Sequence, residues 1–372
     1  MMISDELREV MEQYGYAERV LSAESYGNGH INDTVLITLQ NPSERVILQR
    51  INTKIFTQPQ QLIENITRVT EWIAKQIQAN GGDVRREVLH LIPTLAGERY
   101  YATRNGNYYR AYRFIEDGVC LEQPRNKEDL YESGIAFGKF QGALADFPSE
   151  KLHETIPNFH NTRKRFETFE KSVQCAKQTE RGRDAEAEIQ YAYSKEPMIT
   201  ECDKLKKSQG IPVRVTHNDT KLNNVMLDAK TEKALCVLDL DTVMPGFAMD
   251  DFGDSIRFGA NTACEDEADL SKVSFDLDLF RAYAEGFLKG TGGRLTEAEV
   301  RLLPLGAKMM TYECGIRFLA DYLDGDVYFK VKYPTHNLVR ARNQFALLRD
   351  MDNKTEEMNQ IIEECLEYYY EK

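Results

Sequence analysis

A chain of 372 residues with 42% hydrophobic and 29% charged positions has the composition of a folded protein and exceeds one compact core of usual size, which predicts two lobes. Its formal net charge of −13 excludes the clustered positive field that a nucleic-acid surface needs. Seven scattered cysteines without a CxxC pair read as reduced thiols, and the absence of a long apolar run, with the acidic start MMISDELREVMEQYG, predicts no membrane span, no signal peptide and a cytoplasmic protein.

Along the chain, Ser4 followed by Leu7, Val10, Met11 and Tyr14 predicts a capped amphipathic helix. A glycine-bearing turn, Tyr26-Gly27-Asn28-Gly29-His30, precedes two strand-like runs at 33–39 and 44–50, separated by Gln40-Asn41-Pro42-Ser43 in the manner of an antiparallel hairpin. Leu62, Ile66, Val69, Ile73 and Ile77 mark one face of a helix. Strand signals return on either side of Asn105-Gly106, a favoured hairpin turn. After Asp117-Gly118 the character changes to helix formers, interrupted by short β-branched or apolar runs at 212–216, 225–228 and 234–239. The expected fold is therefore α+β and two-lobed: an N-terminal lobe over 1–118 with an antiparallel sheet and one main helix, and a larger, mainly helical lobe over 119–372. Thr296-Glu297-Ala298-Glu299 has the spacing of a capping box.

The chemistry concentrates between two of the short runs, where His217-Asn218-Asp219-Thr220-Lys221-Leu222-Asn223-Asn224 is followed twenty positions after Asp219 by Leu238-Asp239-Leu240. Each residue taken singly is a common turn former. Jointly, Asp219 can accept a proton from an attacking hydroxyl, while Asn224 and Asp239 offer the oxygen ligands that magnesium prefers. Phosphoryl transfer requires little beyond such positioning and charge neutralisation.

The pattern HxDxxxxN with a following aspartate resembles the aminoglycoside phosphotransferase and choline kinase superfamily. That resemblance implies a protein-kinase-like fold, Asp219 as catalytic base, and Asn224 and Asp239 holding Mg2+ on the phosphates of ATP, with His217 bracing the loop. Three segments narrow it further: residues 26–34, the catalytic run 217–227, and Asp250-Asp251-Phe252-Gly253-Asp254-Ser255-Ile256-Arg257-Phe258 are similar to those of N-acetylhexosamine 1-kinases, over nearly the whole chain. Members of that family phosphorylate the anomeric hydroxyl of N-acetylglucosamine or N-acetylgalactosamine. The resemblance implies a small-molecule sugar and ATP as partners.

Gly27 and Gly29 lack a third glycine and no GxxxxGK[ST] occurs, so the turn is a phosphate cover only by its place before the strands; there Gly27, Asn28 and Gly29 would let backbone amides approach the nucleotide. By resemblance His30 reaches the sugar. Kinase-like folds carry a phosphate-binding lysine on the third strand, but here that strand reads Val46-Ile47-Leu48-Gln49-Arg50, so Gln49 or Arg50 must stand in, with Glu64 or Glu71 as the candidate ion-pair partner. The run 108–115 fits a hinge in which backbone groups near Arg113 and Ile115 bind adenine.

For the acceptor, Gly315-Ile316-Arg317-Phe318 is followed by Asp321. Spacing alone reads Arg317 and Asp321 as a surface i,i+4 ion pair, whereas the resemblance assigns Arg317, and more weakly Tyr328, to sugar binding. Asp250, Asp251, Asp254 and Arg257 are expected to buttress the catalytic loop. Two other readings are an aminoglycoside or choline kinase, and an inactive nucleotide-binding regulatory module suggested by the missing lysine.

Overall fold

The computed structural model describes residues 4–27 and 31–370. Asn28, Gly29 and His30, expected to meet nucleotide or sugar, lie outside the described residues. The chain forms two compact units, one of Met1–Val119, Glu150–Ile156 and Met226–Met244, the other of Cys120–Ser149, Pro157–Val225 and Pro245–Lys372.

In the first unit, strands β1 (Val20–Ser25), β2 (Asp33–Leu39), β3 (Glu44–Ile51), β4 (Leu91–Ile92), β5 (Tyr101–Ala102) and β6 (Tyr108–Arg113) form one sheet in the order β1-β2-β3-β6-β4, with β5 also on β6. Every pairing is antiparallel, and β3 meets β6 in the register Leu48↔Ala111 and Gln49↔Arg110. Alternation of side chains gives the sheet two chemically distinct faces. One carries Ala23, Ile37, Leu39, Val46, Leu48, Tyr109 and Ala111, which bury against Val10, Met11 and Tyr14 of the N-terminal helix Asp5–Gln13. Ser4 caps that helix as its sequence predicts, accepting from the Leu7 amide. The other face presents Thr34, Gln49 and Arg110.

The long helix Pro59–Ala79 is fixed at a buried polar position: Asn65 accepts the His153 amide at 2.9 Å and donates to the carbonyls of His153 at 2.8 Å and Val243 at 3.1 Å. A three-stranded sheet of Ala234–Val237, Val225–Asp228 and Gly118–Cys120, in that order, ends short of Asp239. The sequence reading extends the last apolar run to Asp239. Instead the strand stops at Val237, and Asp239 takes a left-handed backbone, φ 52°, ahead of the turn Leu240–Thr242.

The second unit is helical. Its helix Ala248–Gly259 lies against Leu303–Leu323 so closely that a Cβ on Gly253 would come within 2.3 Å of the Gly306 carbonyl oxygen, and one on Gly306 within 2.2 Å of that of Met249. Glycine on both sides permits the approach. Phe252 on the same helix packs edge-on against Phe280, Tyr283 and Phe287, so its position is fixed by close packing from two directions. The capping box predicted at Thr296 and Glu299 is present.

Candidate active site

In the second unit, the loop 217–224 runs from strand Arg214–Thr216 into the short turn Leu222–Asn224. Such a loop turns its backbone N–H groups inward, and buried N–H groups need partners. Asp251 and Asp254 supply them from one face of the helix Ala248–Gly259. Asp251 accepts the amides of His217 at 2.9 Å and Asn218 at 2.8 Å, and the Gln141 side chain at 2.7 Å. Asp254 accepts the Thr220 amide at 3.0 Å and pairs with Arg257. Thr220 returns a hydroxyl bond to the Asp251 carbonyl, and Ser255 donates to the Thr220 carbonyl. Burial pushes the Asp251 carboxyl up. It acts on Asp254 too, but Arg257, then Lys221, outweigh it and hold that carboxyl below its ordinary value. His217, fully buried between the edges of Phe137 and Phe140, accepts the Asp219 amide on Nδ1 at 3.3 Å.

This scaffold holds Asn218 in the left-handed region, φ 66°, and leaves the Asp219 carboxylate about a third exposed. Asn224 donates its amide nitrogen to the Asp219 carbonyl at 2.8 Å and to its carboxylate at 3.2 Å. With the nitrogen thus engaged, its carbonyl oxygen is the atom left to meet a cation, which suits a hard metal. One participant escapes the sequence reading: Lys221 sets its ammonium 2.9 Å from Asp219 Oδ1, and that charge raises the lysine pKa. It stands two residues from the base, but its rotamer, and so its reach, is invisible in the sequence.

A buried relay lies behind the loop. His160 Nε2 donates to the Asn218 carbonyl at 3.0 Å, and Nδ1 sits 2.9 Å from Glu313, whose other oxygen accepts the Thr162 hydroxyl. Burial disfavours the charged ring, but the Glu313 carboxylate outweighs it and holds the His160 pKa above its ordinary 6.5, while Glu313 is held below 4.5 by His160 despite the same burial. Asp250 and Asp254 also feel the histidine charge. A raised histidine pKa gives stability that is complete below 6.5 and lost as pH rises through the folded value; the lowered Glu313 gives stability lost as pH falls below 4.5. The stability lead of the wild type over His160→Gln should therefore shrink as pH rises above 6.5 in denaturant titrations, and a constant lead would contradict the charged pair.

One helical turn after Glu313, Arg317 lies over the rings of Phe159 and Phe329 at 5.7 and 5.6 Å. Arg165 donates twice to the Phe159 carbonyl, and burial followed by the neighbouring Arg317 lowers its pKa. Tyr328, 68% exposed, borders the same cluster. The i,i+4 pair of Arg317 with Asp321 does not form. Asp321 is buried and turned to the next loop, where it accepts the amides of Val327, Tyr328 and Phe329 and the side chain of Asn337. The earlier carboxylate, Glu313, is the relevant neighbour.

In the first unit, Gly27 has φ 77° and open space where a Cβ would lie. Arg50 extends from the face opposite Gln49 and pairs with Asp33 at its exposed end. Neither expected glutamate meets Gln49 or Arg50, because Glu64 pairs with Arg68 and His153, and Glu71 with Arg99. Arg113 donates its amide to the His90 carbonyl, Phe114 to that of Arg45, and Ile115 is buried. Gln49 bonds Thr34 and Arg110, and Arg110 reaches Asp241 in the turn after Asp239.

A family profile described as the phosphotransferase enzyme family (APH) matches residues 22–295, well over half of the chain. The chain belongs to this phosphotransferase family. Solved structures agree on the fold. An aminoglycoside phosphotransferase from Alicyclobacillus acidocaldarius aligns with TM-score 0.59 at 11% identity, covering 94% of this chain and 96% of its own. A spectinomycin phosphotransferase in complex with ADP and spectinomycin gives TM-score 0.57 at 12% identity, covering 93% and 96%. Choline kinase from Cryptosporidium parvum gives 0.55 at 15%, covering 94% and 95%. This phosphotransferase thus has the kinase-like α+β fold expected from its sequence, with the antiparallel sheet towards the N-terminus and helices towards the C-terminus. Among its described residues no helix is long and apolar enough to cross a membrane.

Proposed function

We propose that this phosphotransferase uses ATP to phosphorylate N-acetylglucosamine or N-acetylgalactosamine at the anomeric hydroxyl. The anomeric oxygen forms a bond to the γ-phosphorus, the bond from that phosphorus to the β-bridging oxygen breaks, the hydroxyl proton passes to Asp219, and ADP and the sugar 1-phosphate leave. The magnesium ligands in this reading are the Asn224 carbonyl oxygen and the Asp239 carboxylate. Bound there, magnesium supplies neutralisation of phosphate charge. Lys221 adds a positive charge beside the base. Nucleotide use is supported by the family and by the ADP held in a fold relative. Gly27, Arg113 and Ile115 keep their proposed nucleotide-side roles, and a cytoplasmic location belongs to the same reading.

The observation that carries the choice of acceptor is the pair of guanidinium groups, Arg317 over the rings of Phe159 and Phe329 and Arg165 on the Phe159 carbonyl. An aminoglycoside or choline is a cation and calls for carboxylates or an open aromatic cage. Here the two rings over Arg317 already hold a guanidinium. A neutral sugar bearing hydroxyl and acetamido oxygens is matched by donors, and Arg317 is the donor assigned to it, with Tyr328 at the edge.

ADP release over a panel of both N-acetylhexosamines, free hexosamines, choline and kanamycin tests the reading. Release with the acetylated sugars is expected; release with choline or kanamycin alone would sink it. Arg317→Ala should raise the sugar KM about tenfold or more, the loss expected for a charge-assisted hydrogen bond, while the KM for ATP stays within roughly twofold. An unchanged sugar KM removes Arg317 from the acceptor site.

A further inference from the structure

The third strand of this phosphotransferase lacks a lysine, and the sheet answers with a different construction. Gln49 on β3 stands opposite Arg110 on β6. The Arg110 side chain is 1% exposed, and its Nε and Nη2 both donate to Gln49 Oε1, at 3.0 and 2.9 Å. Gln49 then spends its amide nitrogen on Thr34 at 3.0 Å, so the glutamine orientation is fixed from both ends. On its other side, Arg110 Nη1 lies 2.5 Å from Asp241 Oδ1, and Asp241 Oδ2 accepts Asn32, whose own oxygen accepts the Asn52 amide.

Two features separate this from a plain structural ion pair. First, Arg110 ties the strand where the lysine is expected to the turn that follows Asp239, and its guanidinium is kept charged against its burial by Asp241 first and by Asp239 as well. Secondly, the contact of Arg110 with Asp241 is made almost wholly out of water, the two side chains being 1% and 5% exposed. Burying such a pair costs desolvation, and removing one partner leaves an uncompensated buried charge, so its two ends hold one geometry. Asp239 itself is held in the left-handed region, a conformation that needs support from its surroundings.

We infer that Arg110 is the positioning residue of the nucleotide-phosphate site: it replaces the third-strand lysine by clamping Gln49 on the sheet and Asp241 beside Asp239 in one geometry. The inference rests on the phosphotransfer reading above. A guanidinium is suited to the task because its fork reaches two acceptors at fixed angles, which an ammonium cannot do. Charge alone therefore does not suffice.

The test compares wild type, Arg110→Lys, Arg110→Met and the double variant that combines Gln49→Lys with Arg110→Met. Binding of ADP is measured by calorimetry across a magnesium titration, thermal unfolding is followed alongside, and KM for ATP and sugar are separated from kcat. R110K should weaken magnesium-ADP binding and raise the half-saturating magnesium concentration about 10- to 100-fold, the usual loss for a residue that orients metal ligands, with the sugar KM unmoved. The double variant should regain about tenfold or more in ADP affinity over R110M, because an ammonium carried on the third strand can face Asp241 directly. R110K that binds magnesium-ADP as wild type does, or lowered melting without a changed magnesium requirement, overturns the assignment and leaves Arg110 a structural pair. If R110M does not fold, R110K, which keeps the charge, decides alone. Wild type that binds no magnesium-ADP overturns the phosphotransfer reading together with this inference, whereas wild-type binding with an unaffected R110K overturns the inference only.

Discussion

Asp219→Asn should lower kcat by about two to four orders of magnitude, the range for loss of a general base, while the affinity for ADP changes little. The substitution keeps the shape of the side chain and its neighbour Asn224, but an amide oxygen is too weakly basic to take the hydroxyl proton. It also removes the charge that Lys221 faces at 2.9 Å, freeing that ammonium for phosphate. Nucleotide affinity therefore holds or rises slightly. Single-turnover measurement separates the chemical step from product release, and a variant with more than about a tenth of wild-type kcat would exclude Asp219 as the base.

The largest stability effect is expected at a residue that need touch no substrate. Asp251→Ala strips acceptors from the buried amides of His217 and Asn218 and from Gln141, and should cost about 3–5 kcal/mol, since each abandoned buried donor costs about 1–3 kcal/mol and some rearrange. Asp251→Asn should cost less, because one oxygen can still serve His217 and Gln141 while its amide nitrogen opposes only the Asn218 N–H. Urea denaturation measures both. Where the folded fraction is preserved, kcat should fall further than binding, because the strained Asn218 that aims Asp219 loses its support. Equal stability of the alanine variant and wild type would show that the loop holds itself.

The fold was readable wherever pattern and local chemistry agree. The Ser4 cap, the hairpin of β2 and β3, the helix with Leu62 and Ile66, and the Thr296 capping box all depend on neighbours within a few residues, which sequence displays. The motif 217–224 was legible because its residues are contiguous. What escaped was set by long-range geometry. Glu313 and His160 are 153 positions apart and meet only when their segments pack. The Arg317 spacing pointed forward to Asp321, yet Asp321 caps a loop of three amides and the backward neighbour Glu313 forms the cluster. Arg110 was hidden for a different reason. An arginine inside a strand reads as a solvent-facing residue, and only the register with Gln49 puts it on the face that holds Asp241.

The most direct measurement is the product of one reaction: the protein with magnesium, ATP and N-acetylglucosamine or N-acetylgalactosamine, followed by phosphorus NMR with proton correlation. A new phosphate coupled to the anomeric proton, formed in step with ADP and absent with Asp219→Asn, is the expected result. A phosphate on any other oxygen, or no transfer to either sugar while choline or kanamycin is phosphorylated, would contradict it.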